Sequence, residues 1–114
     1  MDVSIFQDIV TLEGDVADQE VYQDDEGIVD THGFRTFELC TELWANTNVV
    51  ITVESTNMLG GKWNTAATIA AAGLTYIQAE EGATNKLERY VRWKVKSNGI
   101  NWAVCFRMTY SLKP

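Results

Sequence analysis

Two stretches near the end of the chain alternate apolar and polar residues one by one: Arg89-Tyr90-Val91-Arg92-Trp93-Lys94-Val95-Lys96 and Trp102-Ala103-Val104-Cys105-Phe106-Arg107-Met108-Thr109-Tyr110. A period of two is the mark of a strand with one face buried. Ser97-Asn98-Gly99-Ile100-Asn101 lies between them, and an Asn-Gly pair flanked by alternating strands predicts a β-hairpin. The inward row is expected to be Val91, Trp93, Val95, Trp102, Val104, Phe106 and Met108. The outward row is then Tyr90, Arg92, Lys94, Lys96 and Arg107.

The same period runs through the middle of the chain. Over 34–43 it places Phe37, Leu39 and Leu43 on one face, with Thr36, Glu38 and Glu42 on the other. Ala45-Asn46-Thr47-Asn48 reads as a turn, and Val49, Ile51 and Val53 form the inward row of the strand that follows. Residues 57–62 form a loop, 63–65 a short strand, 74–79 another strand and 80–86 a loop. The Ala-rich run 66–73 is closed by Gly73 after under two helical turns, too short to gain from helix propensity, and reads as strand to loop. Residues 13–27 are acidic and polar, a loop or weak edge strand, and His32-Gly33 marks a turn. Residues 1–12 combine Ile5, Phe6, Ile9, Val10 and Leu12 with acids, as an arm leading into a first strand.

About eight short strands with polar turns every 8–12 residues predict an all-β, antiparallel sandwich or jelly roll. The single proline is the last residue, so it interrupts none of them. We divide the chain into an acidic N-terminal arm and first strand (1–27) and a sandwich body (28–114), in one domain overall. If the arm docks on a partner, its removal is expected to leave the melting temperature nearly unchanged.

With 114 residues, 46% of them apolar and 22% charged, the chain can bury a core without staples. No apolar run is long enough to span a bilayer, and Met1-Asp2-Val3-Ser4 lacks a signal peptide's basic and apolar regions. Folding in a cytoplasm is expected, with Cys40 and Cys105 as free thiols. Charge changes the picture more. Residues 1–34 carry ten acids and no Lys or Arg, whereas residues from 35 onward carry six acids and nine bases. An acidic leader argues against a nucleic-acid partner. It is either a solvated segment or a segment that pairs with a basic surface, on this chain or a neighbour.

Catalytic chemistry finds little to work with, and no enzyme is expected. His32 is the sole histidine, which leaves out His-rich metal cages and His-based acid–base pairs. Gly60-Gly61-Lys62 lacks the spacing of a phosphate loop. Asp24-Asp25-Glu26-Gly27-Ile28-Val29-Asp30 bunches hard ligands without the alternation of a calcium loop, and reads as a solvated acidic loop. Glu38 and Glu42 read as solvent-facing positions of a strand and not as a glycosidase pair. No cofactor or metal is expected.

Two surface features remain: the basic stripe of Arg92, Lys94 and Lys96 beside Tyr90, with Arg107 on the next strand, and the outward aromatics Trp44 and Tyr76. Together with the apolar arm residues they give the candidate partner interface: Ile5, Phe6, Ile9, Trp44, Tyr90, Arg92, Lys94, Lys96 and Arg107.

Over about residues 28–112 the order of these signals resembles a family of small β-sandwich virion proteins of tailed bacteriophages. The matching segments are Gly33 to Leu39, Val49 to Ser55 with Lys62-Trp63-Asn64, Ile69 to Gly73, and Arg89-Tyr90-Val91-Arg92 with Trp102 to Tyr110. The resemblance implies a non-enzymatic capsid decoration, or cement, protein on the outer shell of a phage head, assembled in the host cytoplasm. Its partners would be the major capsid protein and copies of itself, as trimer or dimer, with no nucleic acid and no membrane. The leader is more acidic than that family leads one to expect. A tail or neck accessory protein on the same fold is the first alternative. Arg-Tyr-Val-Arg before the last strand pair also occurs in discoidin-like sugar-binding sandwiches. A carbohydrate-binding or adhesion module would set Trp44 or Trp63 beside polar groups in a groove.

Overall fold

The computed structural model describes residues 3–69, 73–80 and 87–114, with the backbone alone for 74–80. The end of the Ala-rich run (70–72), the loop beyond Glu80 (81–86) and the side chain of Tyr76 lie outside the described residues. Nine strands are present among them: β1 (Ser4–Gly14), β2 (Glu20–Tyr22), β3 (Val29–Asp30), β4 (Thr36–Thr47), β5 (Val49–Thr56), β6 (Asn64–Ile69), β7 (Gly73–Glu80), β8 (Tyr90–Ser97) and β9 (Trp102–Lys113). One short 3-10 turn, Asp25–Gly27, sits between β2 and β3.

Every ladder is antiparallel, and the strands form two sheets. The first runs β1-β9-β4-β7; in the second β2 and β3 share the edge of β8, which continues to β5 and β6. The pairings follow a simple rule. β1 meets β9, β2 and β3 meet β8, β4 meets β7, and β5 meets β6. The chain is thus one long ribbon doubled back on itself, with its tip at the 57–63 loop. Wrapped so that β9 also pairs β4 and β8 also pairs β5, the ribbon becomes a jelly roll.

The predicted inward rows fill the space between the sheets. Phe37, Leu39, Leu43, Val49, Ile51, Val53, Val91, Trp93, Val95, Trp102, Val104, Phe106 and Met108 are all buried. The rings of Trp93 and Phe106 meet edge to face, with centroids 5.1 Å apart. At the other end Phe6, Phe37 and Tyr110 form a second aromatic cluster, with Phe37 stacked on Tyr110 at 5.3 Å and Phe6 edge-on to Phe37 at 5.5 Å.

Two expectations need correction. β8 and β9 do not form a hairpin: β8 belongs to one sheet and β9 to the other. Residues 98–101 carry the chain across the sandwich, and the bend is absorbed at Asn101 (φ 60°). A strand's period of two is the same whether its neighbour lies beside it or across the core, so alternation alone could not decide. Trp93 and Phe106 face each other because the two strands lie in opposed layers. Asn48 (φ 57°) makes the same kind of corner between β4 and β5.

The N-terminal segment is also no free arm. β1 pairs with β9 from Ser4 to Gly14, buries Phe6 and packs Val10 and Leu12 against the core. Removing residues 1–12 would therefore strip a core strand.

The His32-Gly33 turn is present as expected: Phe34 N–H donates to Thr31 O at 2.9 Å, with Gly33 at φ 87°. That φ suits the third residue of a type II turn, which only glycine enters freely.

Candidate functional site

The nine candidate interface residues do not share a surface. Ile5 stands opposite Thr109, and Thr109 opposite Cys40, on the outer face of the first sheet. Ile9, Trp44 and Arg107 lie on that face too. Tyr90, Arg92, Lys94 and Lys96 project from the second sheet on the far side of the molecule. Phe6 faces the core and is 3% exposed. It leaves the set, because alternation from the outward Ile5 points it into the core.

The first face is apolar at its edge. Ile5 is 56% exposed, Ile9 62% and Trp44 51%; Trp44 keeps the outward parity of β4, just where the β4–β9 register slips between Leu43 and Ala45. Arg107 lies 3.8 Å from Glu42, and Lys113 pairs with Glu38. Cys40 and Cys105 share this face as free thiols. Cys40 is level with Thr109, four positions along β9 from Cys105. At about 3.3 Å per residue that separation is well beyond disulfide reach.

The second face carries a more constrained cluster. Glu54, on the outward parity of β5, is opposite Arg92 of β8. Its carboxylate accepts from Arg92 Nε at 3.1 Å, and Lys94 Nζ lies 3.4 Å from its other oxygen. The Arg92 guanidinium is clasped between two rings, 4.0 Å from the Trp63 centroid and 4.5 Å from that of Tyr22. Such cation–π contacts hold both partners in place. Two members of the expected basic stripe therefore share one carboxylate, and Lys96 stays exposed opposite Glu20.

One acid of the leader, Asp30, pairs with the body of its own chain, through Arg89. Asp30 accepts two hydrogen bonds from Arg89, each 3.1 Å long. That contact, and the His32 backbone N–H, hold its carboxyl below the usual carboxylate range. Glu20 is held low by the Tyr22 hydroxyl that donates to it, then by Lys94. Asp24, in the acidic run, accepts from Glu26 N–H and caps the 3-10 turn.

Beside this cluster lies a groove of about 470 Å³ lined by Asp25, Ile28, Asp30, Leu59, Gly60, Trp63, Tyr90 and Arg92. Three parts of the fold build it: the 3-10 turn with β3, the ribbon tip 57–63, and the start of β8. Sequence reasoning flagged Trp63 and Tyr90 separately but missed Tyr22 and Glu54. The outward parity of Glu54 was the only signal, and its partner depended on strand register. Among the described residues no three His, Cys, Asp or Glu side chains converge as a metal site.

No family model and no curated protein matches the chain. Among solved structures, it is similar to a chain from the one described as "Bacillus endospore appendages form a novel family of disulfide-linked pili". The TM-score is 0.45 and the sequence identity 15%, over 96% of this chain and 88% of that one.

Proposed function

We propose that this chain is a non-enzymatic structural virion protein, a capsid decoration protein that binds the outer surface of a phage head and stabilises it. The observation that carries the reading is the β1 edge. Among the described residues this strand pairs with β9 alone and no strand lies along its other side; Gln23 meets Phe6 O, and Ile5 and Ile9 face solvent. An exposed edge with apolar side chains is a site that folded proteins normally cover, and a partner subunit would cover it. The register slips between Ile5 and Val10 twist the edge, which disfavours open-ended strand addition and suits one shaped partner. Decoration requires no catalytic group, and the ion pairs of the outer faces are consistent with that role. Copies of the chain, as trimer or dimer, would meet through the same face by way of Trp44.

The test uses point substitutions, since Phe6 makes deletion of β1 a folding experiment. The double variant Ile5→Lys/Ile9→Lys should unfold within about 0.5 kcal/mol of the parent, as expected for exposed positions. It should lose co-sedimentation with undecorated phage heads by a hundredfold or more in apparent affinity. Unchanged binding by this variant, or failure of the parent to bind any head, overturns the proposal.

A further inference from the structure

We infer that the groove between the ribbon tip and β3 is a binding site for a neutral carbohydrate. The inference is independent of the docking surface, since the groove opens on the outer face of the other sheet.

Its lining is amphipathic in the manner of a pyranose. Trp63 and Tyr90 supply flat rings, and Leu59 and Ile28 supply apolar flanks. Asp25, Asp30 and Arg92 supply hydrogen-bonding groups at the same wall. A sugar ring presents aliphatic C–H groups on its face and hydroxyls around its rim. It can therefore stack on an indole while its hydroxyls bond to carboxylates and guanidinium. The volume of about 470 Å³ falls within the roughly 300–1,000 Å³ of small-ligand sites.

Preorganisation is the second argument. Trp63 sits at the end of a loop, where an indole would ordinarily sample several rotamers. Here Arg92 lies on its ring, and Arg92 is itself held by Glu54 and by Tyr22. The Thr56 hydroxyl accepts from Met58 N–H and lies 2.9 Å from Lys62 O, to which it can donate its one proton, pinning the loop at both ends. A platform fixed before the ligand arrives loses little entropy on binding. Groups remain to meet a ligand: among the described residues, the Arg92 terminal amino groups, the Asp25 carboxylate and the Tyr90 hydroxyl have no hydrogen-bond partner.

Charge selects the class of sugar. The lining sets Asp25 and Asp30 against Arg92, so the groove wall itself leans negative. A sulfated or sialylated glycan would meet two aspartates at the wall and be repelled by them. A neutral hexose or N-acetylhexosamine chain meets no such repulsion.

The experiment is an array of neutral oligosaccharides of glucose, galactose, mannose and N-acetylglucosamine, with sulfated and sialylated glycans alongside. Trp63 indole NMR shifts are then followed for each glycan that retains the protein. The expected result is retention on a neutral glycan and movement of the Trp63 signal. Trp63→Ala should weaken binding at least tenfold, whereas Trp63→Phe, which keeps a ring and guards against a folding defect, should weaken it less. Trp44→Ala and Ile5→Lys/Ile9→Lys should bind as the parent does. Retention confined to anionic glycans, no retention at all, or binding indifferent to Trp63→Ala would overturn the assignment.

Discussion

Phe106→Ala should be among the most damaging single substitutions in this protein, lowering stability by about 3–5 kcal/mol, the range for deleting a buried phenylalanine ring. Phe106 is 0% exposed at the centre of β9, the strand shared by β1 and β4. Its ring abuts Trp93 of the opposite sheet, so truncation opens a cavity between layers that neither sheet can close by shifting alone. Domains of this size hold only about 5–15 kcal/mol in total, and the variant should melt some 12–20 °C lower, at about 4 °C per kcal/mol. Urea denaturation followed by tryptophan fluorescence measures the loss, with Thr11→Ala as a surface control. A cost below about 1.5 kcal/mol would mean that Trp93 and Phe106 do not share a packed centre.

Gln23→Leu is the second large expected effect, at about 3 kcal/mol, and its cause is polar. Gln23 is buried just after β2 and spends its whole amide. Nε2 donates to Phe6 O at 2.8 Å and to Gly27 O at 2.9 Å, while Oε1 accepts from Trp93 N–H at 3.1 Å. One side chain thereby ties the edge of the first sheet to the spine of the second. Gly27 is part of the device, since a Cβ there would come within 2.6 Å of Gln23 Nε2. Leucine has a similar volume but leaves a backbone N–H and two carbonyls unmet, and each orphaned group costs about 1–3 kcal/mol, less than additively.

Gln23→Glu gives a sharper signature. Its carboxylate would face the Phe6 and Gly27 carbonyls in a buried site, so its pKa in the folded state would rise above the unfolded one. The native state then binds more protons than the unfolded chain, and stability must increase as pH falls through the folded pKa. The deficit of Gln23→Glu should therefore shrink between about pH 7 and about pH 5, while that of Gln23→Leu should not. Equal pH profiles for the two variants would sink the argument.

Gln23 also marks where sequence reading stopped. The inward rows of β4, β5, β8 and β9 were legible because burial of one face imposes a period of two. The outward placement of Trp44 and Arg107 followed from the same parity. What parity lacks is the identity of a neighbour. It could not say that β8 and β9 lie in different sheets, that Glu54 stands beside Arg92, or that Trp63 and Tyr22 close on the same guanidinium. A glutamine in an acidic, turn-rich stretch resembles any solvated residue. Only the meeting of β1, β8 and the 3-10 turn makes it a core residue. Phe6 was misplaced for a related reason: an apolar residue among acids suits either an arm or an edge strand, and the β9 ladder decides.

The doubled-back ribbon has a kinetic consequence. Its tip joins β5 to β6 across a short loop, whereas its open end must bring β1 to β9 across nearly the whole chain. Loop-closure entropy grows with the length enclosed, and topologies dominated by distant pairings fold in milliseconds to seconds. Assembly should zip from the tip outward, with the β1 amides the last to gain protection in pulsed hydrogen exchange and the Ser4 end, paired with Tyr110, later than the Gly14 end, paired with Trp102. The strand that offers Ile5 and Ile9 to a partner is then the last to be laid down. Until β1 docks, β9 is itself the open edge of the first sheet, so premature association turns on how quickly β1 closes over it.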